Sequence, residues 1–502
     1  MTALRGHAAA LAVIALAGAA LYGRVLSYQF VHYDDQELLV EHYGEVVQLA
    51  NPVRAFTSDA FAVIDAKARG VYFRPLLVWS YGLEARAFGP DPAVFHATNL
   101  ALHVLVCALA YGLFVALGSG RALATGLALI LLAHPCSAPV AAWIPCRNES
   151  LLAADSIAAL LALIAFIRTG AGIALAACVA CYAAAVFTKE SGIALLAVLA
   201  VAAALLRSGG PDQTRRLVAA GRTALALTLG FALLRHAVLG RSPLGLTQIP
   251  ENLTGLSAYL GKILLPIGLS VVPDPADTPL WPGAIAALLL AAAVATTRRH
   301  WLGPAGLGMA WFGLFLAPAA LTPRQTWGLE HRVYIPLVGL LLFAAQWAAS
   351  PDARVARRNS ALAFAAALAL AIPTSLRLSD FADPIAFWES AARSSPHSAF
   401  AASRVAWRYY DAGRLAEVPG AAARALALDP ANGETYLARG IAYAKRGDLA
   451  RAEPDLRRAV ELEPGNADAW ANLAQLQRLL GQSAQSEESR RRARELGGRP
   501  GP

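Results

Sequence analysis

The chain has 502 residues, 57% of them hydrophobic and only 15% charged, with a formal net charge of +9 and a mean hydropathy of +0.47. A water-soluble protein of this size needs far more charge to solvate its surface, so the composition excludes an ordinary soluble domain. The basic excess does not mark a nucleic-acid partner. It sits in short connections between apolar runs, at Arg207/Arg215/Arg216, Arg298/Arg299 and Arg354/Arg357/Arg358, where a membrane protein places arginine on its cytoplasmic side.

In chain order, apolar runs predict membrane passes at 8–26, 94–117, 121–141, 150–168, 171–187, 191–206, 217–238, 282–297, 301–321, 333–350 and 359–375. Each is read as long enough for a hydrocarbon layer of about 30 Å. The first run follows Arg5 and has no clear cleavage pattern after it, so it reads as an uncleaved pass rather than a signal peptide. With the N-terminus in the cytoplasm, every basic connection obeys the positive-inside rule, and the odd number of passes puts the C-terminal part outside. Residues 256–272 contain Lys262 and Pro266 and precede Pro273 and Pro275, which favours an interfacial or re-entrant helix over a further pass. Cys178 and Cys181 read as small buried hydrophobes. Cys136 and Cys146 fall near one outward corner, a placement that allows a disulfide.

The unusual polar residues gather in the outward connections. Phe30-Val31-His32-Tyr33-Asp34-Asp35 follows the first pass, and Tyr72-Phe73-Arg74-Pro75 lies in the same loop. His96, Asn99 and His103 follow on the second pass; His103 reads equally well as a packing histidine. Then come His134-Pro135, Trp143-Ile144-Pro145-Cys146-Arg147-Asn148-Glu149, Lys189-Glu190 and Glu330-His331-Arg332-Val333-Tyr334-Ile335-Pro336. Adjacent carboxylates at a membrane boundary are costly, which makes Asp34 and Asp35 functional candidates, against the plainer reading of two solvated loop acids.

Beyond Asp383 the chain turns polar. Pro396, Pro430 and Pro464 are spaced by 34, as are Gly413, Gly447 and Gly481, which is the tetratricopeptide period. In the middle unit Tyr436 opens helix A, Gly440 permits close helix contact, Gly447 turns the chain, Ala452 and Ala459 let helix B pack, and Pro464 ends it. The expected organisation is all-α: a multi-pass membrane domain over 1–380 with about eleven helices, about three repeats over 381–495, and a disordered tail at 496–502. Such solenoids offer concave surfaces for a peptide or protein partner.

The order FVHYDD, YFRP, the HP corner with WIPCRNE, FTKESG, EHRVYIP and then repeats resembles the TMTC-type (transmembrane and tetratricopeptide repeat) O-mannosyltransferase family and its bacterial relatives, essentially along the whole chain. The corner departs from it in carrying Pro145-Cys146, where similar proteins have a small residue and Gly. The resemblance implies a GT-C glycosyltransferase that moves a sugar, mannose by family, from a polyprenyl-phosphate donor to a hydroxyl of an exported protein. It implies Asp34 and Asp35 as the catalytic pair, with Asp34 favoured as general base or acceptor binder and their division of labour left open. Arg74, Arg147, Lys189 and Arg332 would bind the donor phosphate, supported by His134, Glu149, Glu190, Glu330, His331 and Tyr334. A divalent metal, Mg or Mn, on Asp34 and Asp35 is a further expectation. The implied partners are membrane lipid, the lipid-linked sugar and a protein held by the repeats. The competing reading is a non-catalytic membrane scaffold for the repeats. Arginine far exceeds lysine and alanine is abundant, which points to a bacterial inner membrane with a periplasmic active side; in a eukaryote the same topology belongs to the endoplasmic reticulum.

Overall fold

A computed structural model of the chain describes residues 2–59, 72–207, 209–240, 249–296, 303–321 and 328–497. Arg298, Arg299 and His300, parts of the stretches 239–255 and 322–332 that border the expected passes, and residues 498–502 of the expected tail lie outside the described residues. The described residues form helices and turns with no strand, as an all-α fold requires. They divide into two compact units. One is Met1–Leu269 with Pro279–Asp383, and the other is Ser270–Thr278 with Pro384–Pro502.

In the first unit each expected pass meets a helix, but their lengths differ. Five helices are long and apolar enough to cross a membrane: Arg5–Ser27, Pro92–Ala116, Ile144–Thr169, Pro211–Leu239 and Ala353–Phe381. Arg121–Ala133 with Pro135–Ala142, bent by 60°, is either a broken sixth span or a re-entrant pair. Gly172–Thr188, Glu190–Leu206, Trp281–Thr296 and Pro304–Ala320 are apolar but at most 17 residues long. That is short of the roughly 20 needed to cross without thinning the bilayer, so eleven complete crossings are not established. Apolar side chains are left outward on these helices, among them Leu16, Leu233, Leu288, Leu368 and Leu376, faces that lipid rather than water would cover.

Packing between helices uses small residues, since lipid tails compete with apolar side chains for the same surface. Helices Pro304–Leu316 and Tyr334–Trp347 meet at Gly308 and Gly339. A Cβ at Gly339 would come within 2.6 Å of the Gly308 carbonyl oxygen, and one at Gly308 within 2.6 Å of the Phe343 nitrogen. The bend at His134 has a local cause. Pro135 supplies no N–H, and His134 takes an extended conformation (φ −71°, ψ 132°) between the two helical segments.

The outward corner over 133–149 is a compact run of short helical turns, buried throughout. Helix Arg147–Thr169 begins at the corner motif itself, so Arg147, Asn148 and Glu149 occupy its first turn. Cys136 and Cys146 are both buried and free, so the disulfide expectation fails. Helix Ile249–Leu264 ends before residue 265. Its final carbonyls, which have no partner inside the helix, are met by the bend: His134 Nε2 donates to the Ile263 oxygen (2.9 Å) and Cys136 Sγ lies 3.4 Å from the Lys262 oxygen.

In the second unit three helix pairs repeat the 34-residue period: Ala399–Asp411 with Val418–Leu428, Gly433–Lys445 with Leu449–Leu462, and Ala467–Leu479 with Ser483–Glu495. Ser398, Asn432 and Asn466 recur at that period, each capping helix A by accepting from the N–H three residues on. Gly413, Gly447 and Gly481 take φ of 73°, 81° and 75°, the left-handed turn that glycine allows between helices A and B. Residues 270–278 pack with this unit rather than with the membrane helices around them in sequence. Ser395 Oγ donates to the Val272 oxygen (2.9 Å), and Asp277 accepts from the His397 N–H (2.9 Å) and contacts its ring Nδ1 (2.6 Å).

Candidate functional site

Residues 28–35 leave the first helix in extended form and turn at His32, whose φ of 57° is the one positive value among described non-glycine residues. A left-handed residue other than glycine costs about 1 kcal/mol. Such strain persists where the surroundings hold it, often at working sites. Phe30 and Val31 are buried, while Tyr33 stacks on Trp143 with centroids 5.5 Å apart, and Trp143 meets the His331 ring edge-on at 5.6 Å.

The two acids that follow have different surroundings. Asp35 is 1% exposed and spends one carboxylate oxygen on the Val31 N–H and the other on the Gln36 N–H, both at 2.9 Å. It fixes the strained turn and starts the helical turn after it. Asp34 is only partly buried, and no side-chain hydrogen bond engages its carboxylate among the described residues. Burial, then the neighbouring charges of Asp35 and Glu37, push it up to about 7, against the opposing pull of Arg74. Asp34 is therefore poised to exchange a proton near neutrality.

Arg74 acts on Asp34, and with Arg74 come together the ends of several more elements. Arg74 precedes helix Pro75–Phe88. Its Nε donates to Glu190 Oε2 at 3.0 Å, while the Phe73 N–H donates to Glu190 Oε1 at 2.9 Å, and the guanidinium lies 4.4 Å over the Tyr72 ring. Burial pushes the Glu190 carboxyl up, but Arg74 and these hydrogen bonds bring it below its usual range. Lys189, in the break between helices, pairs with Glu149 in the first turn of Arg147–Thr169. Burial lowers the Lys189 ammonium, and Glu149 partly offsets it. Burial, followed by the charges of Lys189, Arg332 and Arg74, holds His331 well below its ordinary value, so the 4.0 Å contact of His331 with Glu149 joins a neutral ring to a carboxylate. Arg332 interacts with Lys189 and His331, and its Nη1 is buried without a hydrogen-bond partner. Three cations, Arg74, Lys189 and Arg332, thus face two carboxylates, Glu149 and Glu190. One guanidinium donor, Arg332 Nη1, is left unused among the described residues, a feature that suits an anion.

Four of the residues expected at this site serve the scaffold. Arg147 is fully buried and engaged. Its Nη1 pairs with Glu84 (2.5 Å) and reaches Ser80 Oγ (3.4 Å), its Nε donates to Asn99 Oδ1 (2.9 Å), and its Nη2 donates to the Phe95 oxygen (3.2 Å). With those donors spent and Tyr81 beneath the guanidinium at 4.6 Å, it has no free edge for a phosphate. His134 donates through Nε2 to Ile263 and accepts the Cys136 N–H at Nδ1 (3.2 Å). Glu330 takes Arg377 Nη2 at 2.6 Å. Tyr334 is buried against His103 (2.7 Å), whose Nε2 faces the Leu132 oxygen at 3.3 Å, so Tyr334 donates and the pair ties helices together. Glu84, Arg377 and Tyr259 carried no motif and were not singled out, and Lys262 stood out only as a charge within an apolar stretch.

As a metal site the acids fit poorly. Asp35 has both oxygens committed to amides, and no group of three or more His, Cys, Asp or Glu side chains suited to a metal occurs among the described residues.

The helices and the repeats define a multi-pass α-helical membrane protein with a tetratricopeptide-repeat solenoid. A tetratricopeptide-repeat family model matches residues 433–476. Curated relatives include protein O-mannosyl-transferase TMTC1 of mouse, 35% identical over 165 residues, or 32% of this chain and 16% of that protein. The human TMTC1 protein is 35% identical over 164 residues, 32% of this chain and 18% of its own length. The chain thus matches less than a fifth of the length of these relatives, and over that stretch it is similar to the TMTC-type proteins.

Proposed function

We propose that the first unit is a glycosyltransferase of GT-C type that transfers a sugar, mannose by relationship, from a polyprenyl-phosphate donor to a hydroxyl of an exported protein, with the repeats holding the acceptor or a partner. The observation that carries this reading is the pairing of Asp34, whose carboxylate has no hydrogen-bond partner among the described residues and is pushed up to about 7, with a cationic cluster that includes the unpartnered Arg332 Nη1.

In the reaction the acceptor oxygen attacks the anomeric carbon and its proton passes to Asp34 as general base. The bond from that carbon to the phosphate oxygen breaks, and the departing lipid phosphate gains negative charge. Arg74, Lys189 and Arg332 offset that charge more strongly in the transition state than in the ground state, which is what lowers the barrier. Glu190 and Glu149 fix Arg74 and Lys189 in advance, so little reorganisation is needed. A bacterial inner membrane with the site on its periplasmic face is the setting we assign.

Mass spectrometry of exported proteins from cells carrying wild type, Asp34→Asn or Asp35→Asn tests the reading. Loss of glycan occupancy with Asp34→Asn at equal protein level supports it. Unchanged occupancy with both variants removes it and leaves a membrane-anchored repeat scaffold.

A further inference from the structure

The segment that carries His331 and Arg332 is held from outside by a helix to which no role has been given. Helix Ile249–Leu264 places Tyr259 and Lys262 three residues apart, and therefore on one face. Both reach the same residue, Gly328. Lys262 Nζ donates to its carbonyl oxygen at 2.7 Å, and its N–H donates to the Tyr259 hydroxyl at 3.1 Å. Gly328 has a φ of 75°, so the chain turns there in a conformation only glycine adopts cheaply. Seven residues before Tyr259, on the same stripe, Asn252 Nδ2 donates to the Ala320 oxygen at 3.1 Å. The helix therefore grips the chain on both sides of residues 321–327. The Tyr259 hydroxyl also interacts with the Arg332 guanidinium, and the far side of the turn is tied by Glu330 to Arg377 at 2.6 Å.

A lysine that is 2% exposed and points at a backbone carbonyl is a costly way to fill space, since methionine would pack there without burying a charge. We infer that Lys262, with Tyr259, is a positioning residue that fixes the turn at Gly328 and so holds Arg332 at the height where its free Nη1 meets the donor phosphate. This inference rests on the donor reading above. Lys262 touches no substrate; it acts through the main chain of Gly328.

Two measurements on the full-length protein in nanodiscs test it, with Lys262→Met, Lys262→Arg and Tyr259→Phe beside wild type. The first is hydrogen exchange over residues 328–334. The second is affinity for undecaprenyl phosphate, with Arg332→Met as reference. Lys262→Met is expected to speed exchange across the turn and weaken binding about ten-fold, a loss of the kind that small misplacement of a binding group produces. Lys262→Arg, which keeps a donor for the carbonyl, is expected to stay within about three-fold of wild type. Tyr259→Phe, which folds with minimal change of shape, is expected to loosen the turn to an intermediate degree. Unchanged exchange in both Lys262→Met and Tyr259→Phe overturns the positioning role, whatever the binding result. Faster exchange with unchanged binding overturns its link to the phosphate. A wild type without affinity for the lipid phosphate overturns the donor reading, while the exchange data still decide whether the clamp exists.

Discussion

The Asp34 carboxylate meets no hydrogen-bond donor among the described residues, whereas that of Asp35 accepts from two backbone amides. Sequence alone could not separate them, because adjacent residues share every pattern and differ only in the direction the turn at His32 sends them. Replacing Asp34 by Asn should lower the proposed transfer by roughly 10²- to 10⁴-fold, the usual contribution of a positioned base. Because Asp34 is held near 7 and works deprotonated, the turnover of wild type should rise with pH through about 7 and level off above it. Arg74→Met removes a positive charge that favours the carboxylate, so it should move that limb to higher pH; a pH series of turnover for the two proteins reads the shift directly. Arg147 shows the opposite lesson. Its type and place suggested phosphate binding, but a buried arginine paired to Glu84 has no sequence mark that sets it apart from an exposed one. Arg147→Met strands Glu84 as an uncompensated buried charge and should destabilise the unit by about 3–5 kcal/mol, read as a loss of folded protein in detergent rather than a specific change in donor KM.

At the scale of elements, apolar runs and the repeat period were legible because both are periodic signals that survive without tertiary context. The ends of helices were less so. The corner at 133–149 reads in sequence as an outward connection, yet His134, Ser137 and Arg147 find buried partners within the fold, and it packs as short turns. Helix Ile249–Leu264 shows a break near Pro266 in its sequence, but the reason it holds Lys262 lies 66 residues downstream at Gly328. The Gly308 and Gly339 contact illustrates how little room the membrane helices leave. Gly339→Val should clash with the Gly308 backbone and lower the melting temperature of the purified protein. The matching exposed-glycine change, Gly313→Ala, meets no atom within 4 Å and should leave it unchanged or slightly raised.

For the whole molecule, the distribution of arginine sets sidedness, and the placement of polar motifs at alternate helix ends sets where chemistry can occur. Cysteine introduced at Glu45 or Ser483, both exposed, should react with a membrane-impermeant maleimide from the non-cytoplasmic side. Cysteine at Arg354 should be protected until the membrane is opened. Four of the five native cysteines are buried, which keeps the background low. A family resemblance read along the chain meets curated relatives over about a third of it. The central claim is that Asp34 removes a proton while a cationic cluster receives the lipid phosphate. It is tested most directly by following release of polyprenyl phosphate from its labelled mannose conjugate in proteoliposomes, with an acceptor polypeptide, for wild type and Asp34→Asn. Release coupled to acceptor labelling in wild type, and at least about 10²-fold slower in Asp34→Asn with donor binding retained, is the predicted result; equal rates in the two proteins would contradict it.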